Sequence, residues 1–228
     1  MATKKTAAEI IVKRVEKVLF PLTLEGDTPL IMHAWSQKAK QEMLDAQMGK
    51  KKGTKKDPKN PEFDFVESLH WIEGKPEVTH DMSMEEINEK FMEAVENGAK
   101  FGFPCVAIKE AAVSAAYRQG LSKDKVSLRG AFFVKGASGI NDNEFVEIKG
   151  EPPIMREDMV RIGMGTADIR YRGEFKNWTA DIIIEYNKNS GYTPEAIINM
   201  IDGAGFVCGL GEWRPEKAGN YGMFHVHV

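Results

Sequence analysis

Long hydrophobic runs are missing from this 228-residue chain. Nowhere do about 18 apolar residues run together, so no membrane-spanning helix is expected. Cysteine is scarce. Cys105 and Cys208 each sit within an apolar run, and neither belongs to a Cys-x-x-Cys pair. That argues against a disulfide framework or a cysteine-based zinc site and suits a reducing compartment; both thiols are expected to be small buried hydrophobes. A large excess of charge is absent too. With 31 Lys and Arg against 34 Asp and Glu the net charge is −3, which excludes a globally basic nucleic-acid binder but not a local basic face. The amino-terminal stretch is charged throughout and lacks the apolar core of a secretion signal, so a cytoplasmic protein is expected.

What is present is an apolar share of 42% and a charged share of 29%, enough to bury a sizeable core. Residues 1–16 read as a short helix or a tail. The first clear strand is Val18 to Leu24, with Val18, Phe20, Leu22 and Leu24 on one face and with Pro21 suggesting an edge or a bulge. A turn at Gly26 to Pro29 leads to the strand-like run Leu30 to Trp35. Residues 36–62 are rich in lysine and broken by glycine and proline, which reads as a mobile basic insertion. Ser83 and Glu86 form a capping box that opens a helix with Ile87, Phe91 and Val95 along its stripe and Asn97-Gly98 at its end. An alanine-rich helix follows from Cys105 to Gln119, slim enough to lie close against a sheet. Ala131 to Val134 and Phe145 to Ile148 read as strands around a loop at 136–143, and Ala167 to Tyr171 as a further one. Trp178, Ala180, Ile182, Ile184 and Tyr186 alternate cleanly. Thr193 caps a helix with Pro194 at its first position, Ile197, Ile198 and Ile201 facing the core, and Gly203 and Gly205 ending it. The last strand is Tyr221 to Val228.

The expected class is therefore α+β, with the βαββαβ order of a ferredoxin-like (RRM/RAMP-type) core at about 17–35 and 100–228, and a lysine-rich, partly flexible insertion at 36–82. Two segments carry a more specific likeness. Gly102-Phe103-Pro104-Cys105-Val106-Ala107-Ile108-Lys109-Glu110-Ala111-Ala112 resembles the Ile-Pro-Gly-Ser-Ser-Leu-Lys-Gly start of the first helix in RAMP superfamily proteins of CRISPR effector complexes, with Cys105-Val106-Ala107 in place of Gly-Ser-Ser. Gly209 to Gly222 resembles their glycine-rich loop between the second helix and the last strand. The whole chain also resembles phage and prophage proteins with three blocks in this order: Thr28 to His33, Arg172 to Trp178 (with Gly173 where proline is usual), and Gly209 to Glu216. Among characterised families the likeness is to the Cas7-like backbone subunits of those complexes. It implies binding of single-stranded RNA or DNA, and side-by-side assembly of copies.

The residues themselves offer cations for phosphates and rings for bases. Lys109, Arg118, Lys123, Lys125 and Arg129 lie on or after the alanine-rich helix. Arg156, Arg161, Arg170, Arg172 and Lys176 populate the middle segment, and Arg214 and Lys217 the glycine-rich loop. Tyr171, Phe175, Trp178 and Trp213 are possible stacking platforms. Gly209 and Gly211 would let backbone approach a phosphate closely, although a Gly-x-Gly that follows a helix is neither a Walker loop nor a dinucleotide fingerprint. The competing reading pairs Arg214 with Glu212 or Glu216 and places Trp213 in the core. Residues 154–165 mix charge, methionine and glycine, which suits a wedge between bases, a docking loop or core filling.

Catalysis has one weak candidate, His33, as a general base on a 2′-hydroxyl, with no partner identifiable from sequence. Asp168 and Asp181 lack the spacing of paired acid–base carboxylates. His225 and His227 share a strand face and are weak metal-ligand candidates with no third ligand identifiable. No cofactor is expected. The leading expectation is a non-enzymatic, sequence-tolerant binder of single-stranded nucleic acid that assembles with copies of itself. The alternatives are a RAMP-type endoribonuclease and a phage interaction protein that mimics or caps a host effector complex.

Overall fold

The computed structural model describes residues 14–49, 58–162 and 165–227. It is an α+β protein. Residues 1–13, most of the lysine cluster between Lys50 and Lys56, and Gly163 with Met164 lie outside the described residues.

In chain order the elements are β1 (Lys17–Gly26), β2 (Leu30–Met32), α1 (Gln37–Gln47), α2 (Pro61–Glu67), β3 (Trp71–Glu73), α3 (Met84–Glu96), β4 (Lys100–Pro104), α4 (Cys105–Arg118), α5 (Lys125–Arg129), β5 (Phe132–Gly136), β6 (Phe145–Gly150), β7 (Ile154–Ile162), β8 (Thr166–Phe175), β9 (Trp178–Asn187), α6 (Pro194–Val207) and β10 (Phe224–His227). A seven-stranded antiparallel sheet runs β10–β1–β9, then β6–β4–β3. β9 is flanked on that side by β5 along its second half, from Phe132↔Tyr186 to Gly136↔Ile182, and by β6 at its start, Gly150↔Trp178. A second, three-stranded sheet is ordered β2–β8–β7.

β9 has the cleanest origin in sequence. Trp178, Ala180, Ile182, Ile184 and Tyr186 are all buried and the residues between them are not, the period-2 pattern of a strand with one face on the core. β1 does the same more weakly: Leu24 is buried, while Leu19 faces outward. Pro21 causes no bulge. Its register with β9 is unbroken (Pro21↔Ile183), and it lies beyond the last β10 pairing at Thr23, where a missing ladder donor costs nothing. α4 and α6 lie against each other and against this sheet. Ala111, Ala112, Ala115 and Ala116 are buried at that contact, and both cysteines are buried as expected.

The caps form as the sequence suggests. Ser83 Oγ accepts from the Glu86 amide and Thr193 Oγ1 from the Ala196 amide. Four expectations are corrected. Residues 60–69, within the segment expected as a lysine-rich, partly flexible insertion, are folded against the core: Asn60 caps α2 through the Phe63 amide, Pro61 takes the first helical position, and Phe65, Val66 and Leu69 are buried. α1 likewise replaces loop, because residues 37–47 hold, apart from Asp45, good helix formers and no Gly or Pro. Residues 154–162 are a strand, β7, not a loop. Finally, α6 does not end at Gly203 and Gly205 but runs through both to Val207.

Candidate functional site

The two segments that carried the family likeness meet. Phe103, Pro104, Ala107, Glu110 and Ala111 at the start of α4 face Gly209 to Glu212, Arg214 and Glu216 across a cleft of about 420 Å³, which His33 and His70 also line. β2 delivers His33 and the segment after α2 delivers His70. The sequence offered no partner for His33, because His70 lies 37 positions away in a stretch without periodicity.

The glycine-rich loop is held rigidly. Leu210 and Gly222 are joined by an amide–carbonyl bond, the Glu212 amide donates to the Ile31 carbonyl, and the Gly222 amide donates to that of Pro29. Gly211 is left-handed (φ 73°), and a Cβ there would meet the Ile31 carbonyl oxygen at 2.2 Å. The glycines thus bring the loop against β2, so the close approach expected for a phosphate is made to the protein's own backbone. Arg214 donates to Glu216 at 2.9 and 3.1 Å and to the Gly211 carbonyl, and Arg118 reaches the same Glu216 at 2.9 Å. The ion-pair alternative for Arg214 is the one realised.

A second cluster backs the cleft. Asp158, buried on β7, accepts from Arg172 (2.9 Å), Arg156 (3.0 Å) and the Trp213 indole (3.2 Å). Arg172 also lies 3.6 Å from Glu212 and donates toward His33 Nδ1 at 3.4 Å. Burial pushes the Asp158 carboxyl up, but the hydrogen bonds from Arg172, Arg156 and Trp213 outweigh it and hold the group below the ordinary carboxylate range. Arg172 is therefore not a phosphate contact. Its guanidinium is 4% exposed, and its charge serves to pin β8 and β7 to the glycine-rich loop.

The remaining expected contacts divide. Trp178 and Phe175 are buried, so neither is a stacking platform; the Trp178 indole donates to the Thr28 carbonyl. Trp213 is 39% exposed and keeps a face open, at a left-handed φ of 53°. Arg129 is held bidentately by Glu110, Arg156 by Asp158 and Glu174, and Arg170 lies 3.7 Å from Asp168. Lys109 lies over the Phe133 ring at 4.0 Å, and Lys125 bonds the Ser114 hydroxyl. Lys123, Arg161, Lys176 and Lys217 are exposed and have no ion-pair partner among the described residues. His225 and His227 are on β10 and do not line this cleft.

Burial, then the charges of Lys40 and His33, pushes the His70 imidazole down to about 4, and burial followed by Arg172 lowers His33. Both rings are neutral at pH 7. A histidine whose folded pKa lies below its unfolded value stabilises the fold fully above about 6.5 and loses that contribution as pH falls toward 4. Histidine-resolved NMR titration should show His70 unprotonated at pH 5, and His70→Gln should flatten the decline in stability between pH 6.5 and 4.5. Titration of His70 near 6.5 contradicts this placement.

No protein-family model matches the chain, and no curated protein matches it.

Proposed function

We propose that this protein binds single-stranded nucleic acid with little sequence preference and assembles side by side with copies of itself, as the likeness to RAMP backbone subunits implies. Support for the ferredoxin-like form of the core comes from the strand order β10–β1–β9–β5, with α4 between β1 and β5 in sequence and α6 between β9 and β10. The observation that carries the functional reading is the β7–β8 hairpin. Met159 and Ile169 sit opposite each other in register, 77% and 42% exposed, with Arg161 two residues along the same face of β7. An exposed apolar pair beside an unpaired cation suits insertion between unstacked bases with a phosphate held alongside. Trp213 offers a second ring at the cleft's margin.

The unpaired cations Lys123, Arg161, Lys176 and Lys217 supply the phosphate contacts. Four such contacts on a single strand predict a log–log salt slope near −3, hence a loss of affinity of about fiftyfold between 50 and 200 mM salt. Gel shift with labelled single-stranded RNA and DNA measures it, and Trp213→Ala should weaken binding at least fivefold. Absence of any shift at low salt would sink the proposal.

A second reading rests on the cleft. His33 and His70 both line one cavity, and a neutral imidazole there can act as the base that takes the proton of a 2′-hydroxyl, with water protonating the departing 5′-oxygen. Cleavage of RNA in EDTA that His33→Ala abolishes would favour it over a binder alone.

A further inference from the structure

The carboxy-terminal strand β10 lies at the edge of the large sheet and turns His225 and His227 outward on one face. The register with β1 places Glu25 directly opposite His225. The Glu25 carboxylate reaches between the two rings: Oε2 is 3.1 Å from His227 Nδ1 and 3.8 Å from His225 Nε2. One donor atom from each of the three residues lies within 4.8 Å of the others. Metal–nitrogen and metal–oxygen bonds of about 2.0–2.1 Å in a tetrahedron give ligand–ligand edges of about 3.4 Å, which the two shorter separations bracket.

An independent feature concerns the second atom of His225. Its Nδ1 lies 2.7 Å from Asp27 Oδ1, an oxygen that can only accept while Asp27 is ionised. A proton therefore sits on Nδ1, which leaves Nε2, 3.8 Å from Glu25 Oε2, as the ring atom that can ligate an ion in place of a proton. A carboxylate behind the imidazole, fixing its tautomer and orientation, is the support that metal-ligating histidines usually have. A simple surface ion pair needs no such backing.

We propose that Glu25, His225 and His227 form a binding site for a divalent transition-metal ion of borderline softness, zinc foremost, with Asp27 orienting His225 and the fourth position open to water. Two imidazole nitrogens and one carboxylate oxygen select against magnesium and calcium, which take oxygen donors. The ion joins the end of β1 to β10, so it acts as a clasp on β10. It is separate from the cleft and does not depend on the nucleic-acid reading.

Isothermal titration of the EDTA-treated, dialysed full-length chain with Zn²⁺ should show one ion per chain. His225→Ala and Glu25→Gln should each weaken binding at least tenfold, and Asp27→Asn about tenfold. These side chains are about half exposed, so the variants keep their fold, which circular dichroism checks. Zn²⁺ at a hundredfold over Kd should raise the wild-type Tm by about 5–10 °C and leave the His225→Ala/His227→Ala double variant unmoved. Wild-type affinity in that double variant overturns the site, as does an equal rise in Tm with Mg²⁺.

Discussion

Replacing Asp158 by alanine will destabilise the protein by about 3–5 kcal/mol, a large share of the about 5–15 kcal/mol typical of a folded domain. The reason is what remains. Arg172 is 3% exposed, and Asp158 is the buried carboxylate that compensates its charge; Glu212, at 3.6 Å, is itself half exposed. The substitution also strips an acceptor from Arg156 and from the Trp213 indole. Breaking one side of a buried pair costs far more than removing both. Hence Asp158→Leu/Arg172→Met, of similar volume, should regain most of the loss. Urea denaturation of the wild type and both variants at pH 7 measures this. A double variant as unstable as the single one would show that the pair's geometry, not its charge, holds β7 and β8. The sign of the pH dependence follows from the lowered carboxyl pKa. The stabilisation is present above the ordinary carboxylate range and is lost as pH falls through the folded value, so wild type and Asp158→Ala converge in acid.

That same cluster explains why part of the fold was illegible. Strands announce themselves by burying apolar residues at every second position, as β9 does. β7 inverts this: its inward residues are Arg156 and Asp158, satisfied by one another, by Glu174 and by Trp213, while Met155 and Met159 face outward. A polar inner face looks like a loop until its partners are known, and those partners lie 14 to 55 residues away. The lysines that marked residues 36–62 as an insertion hid α1 and α2 for a similar reason, since charge describes a helix's outer face and says nothing against the helix. Local signals survived: Ser83, Thr193 and Gly98 terminate helices as their chemistry requires. The site was half legible. Its walls, the start of α4 and the glycine-rich loop, were both singled out. His70 and Glu25 were not, because cleft and clasp depend on register between strands distant in sequence.

Gly205 carries the second large effect, and its sign runs against helix propensity. In a helix interior, glycine to alanine ordinarily stabilises by about 1 kcal/mol. At position 205 a Cβ would stand 1.6 Å from the Phe224 carbonyl oxygen and 2.6 Å from its carbon, backbone atoms that no rotamer change can move. α6 and β10 are in contact there, so the methyl group must push helix and strand apart, opening the packing of Phe224 against Trp178. Gly205→Ala should therefore cost about 3 kcal/mol or more. Gly203, two residues earlier on the same helix, is the control. Its nearest neighbour is the side-chain amide of Gln119 at 3.3 Å, a group that can swing aside, so Gly203→Ala should be neutral or stabilising. Thermal denaturation of the two variants decides it. Equal behaviour at both positions would mean that α6 and β10 are not held this closely. The pairing of these two elements is also what sets the glycine-rich loop between them against β2. Gly205→Ala should accordingly loosen the cleft wall and weaken the nucleic-acid binding proposed for this protein, while Gly203→Ala leaves the wall intact.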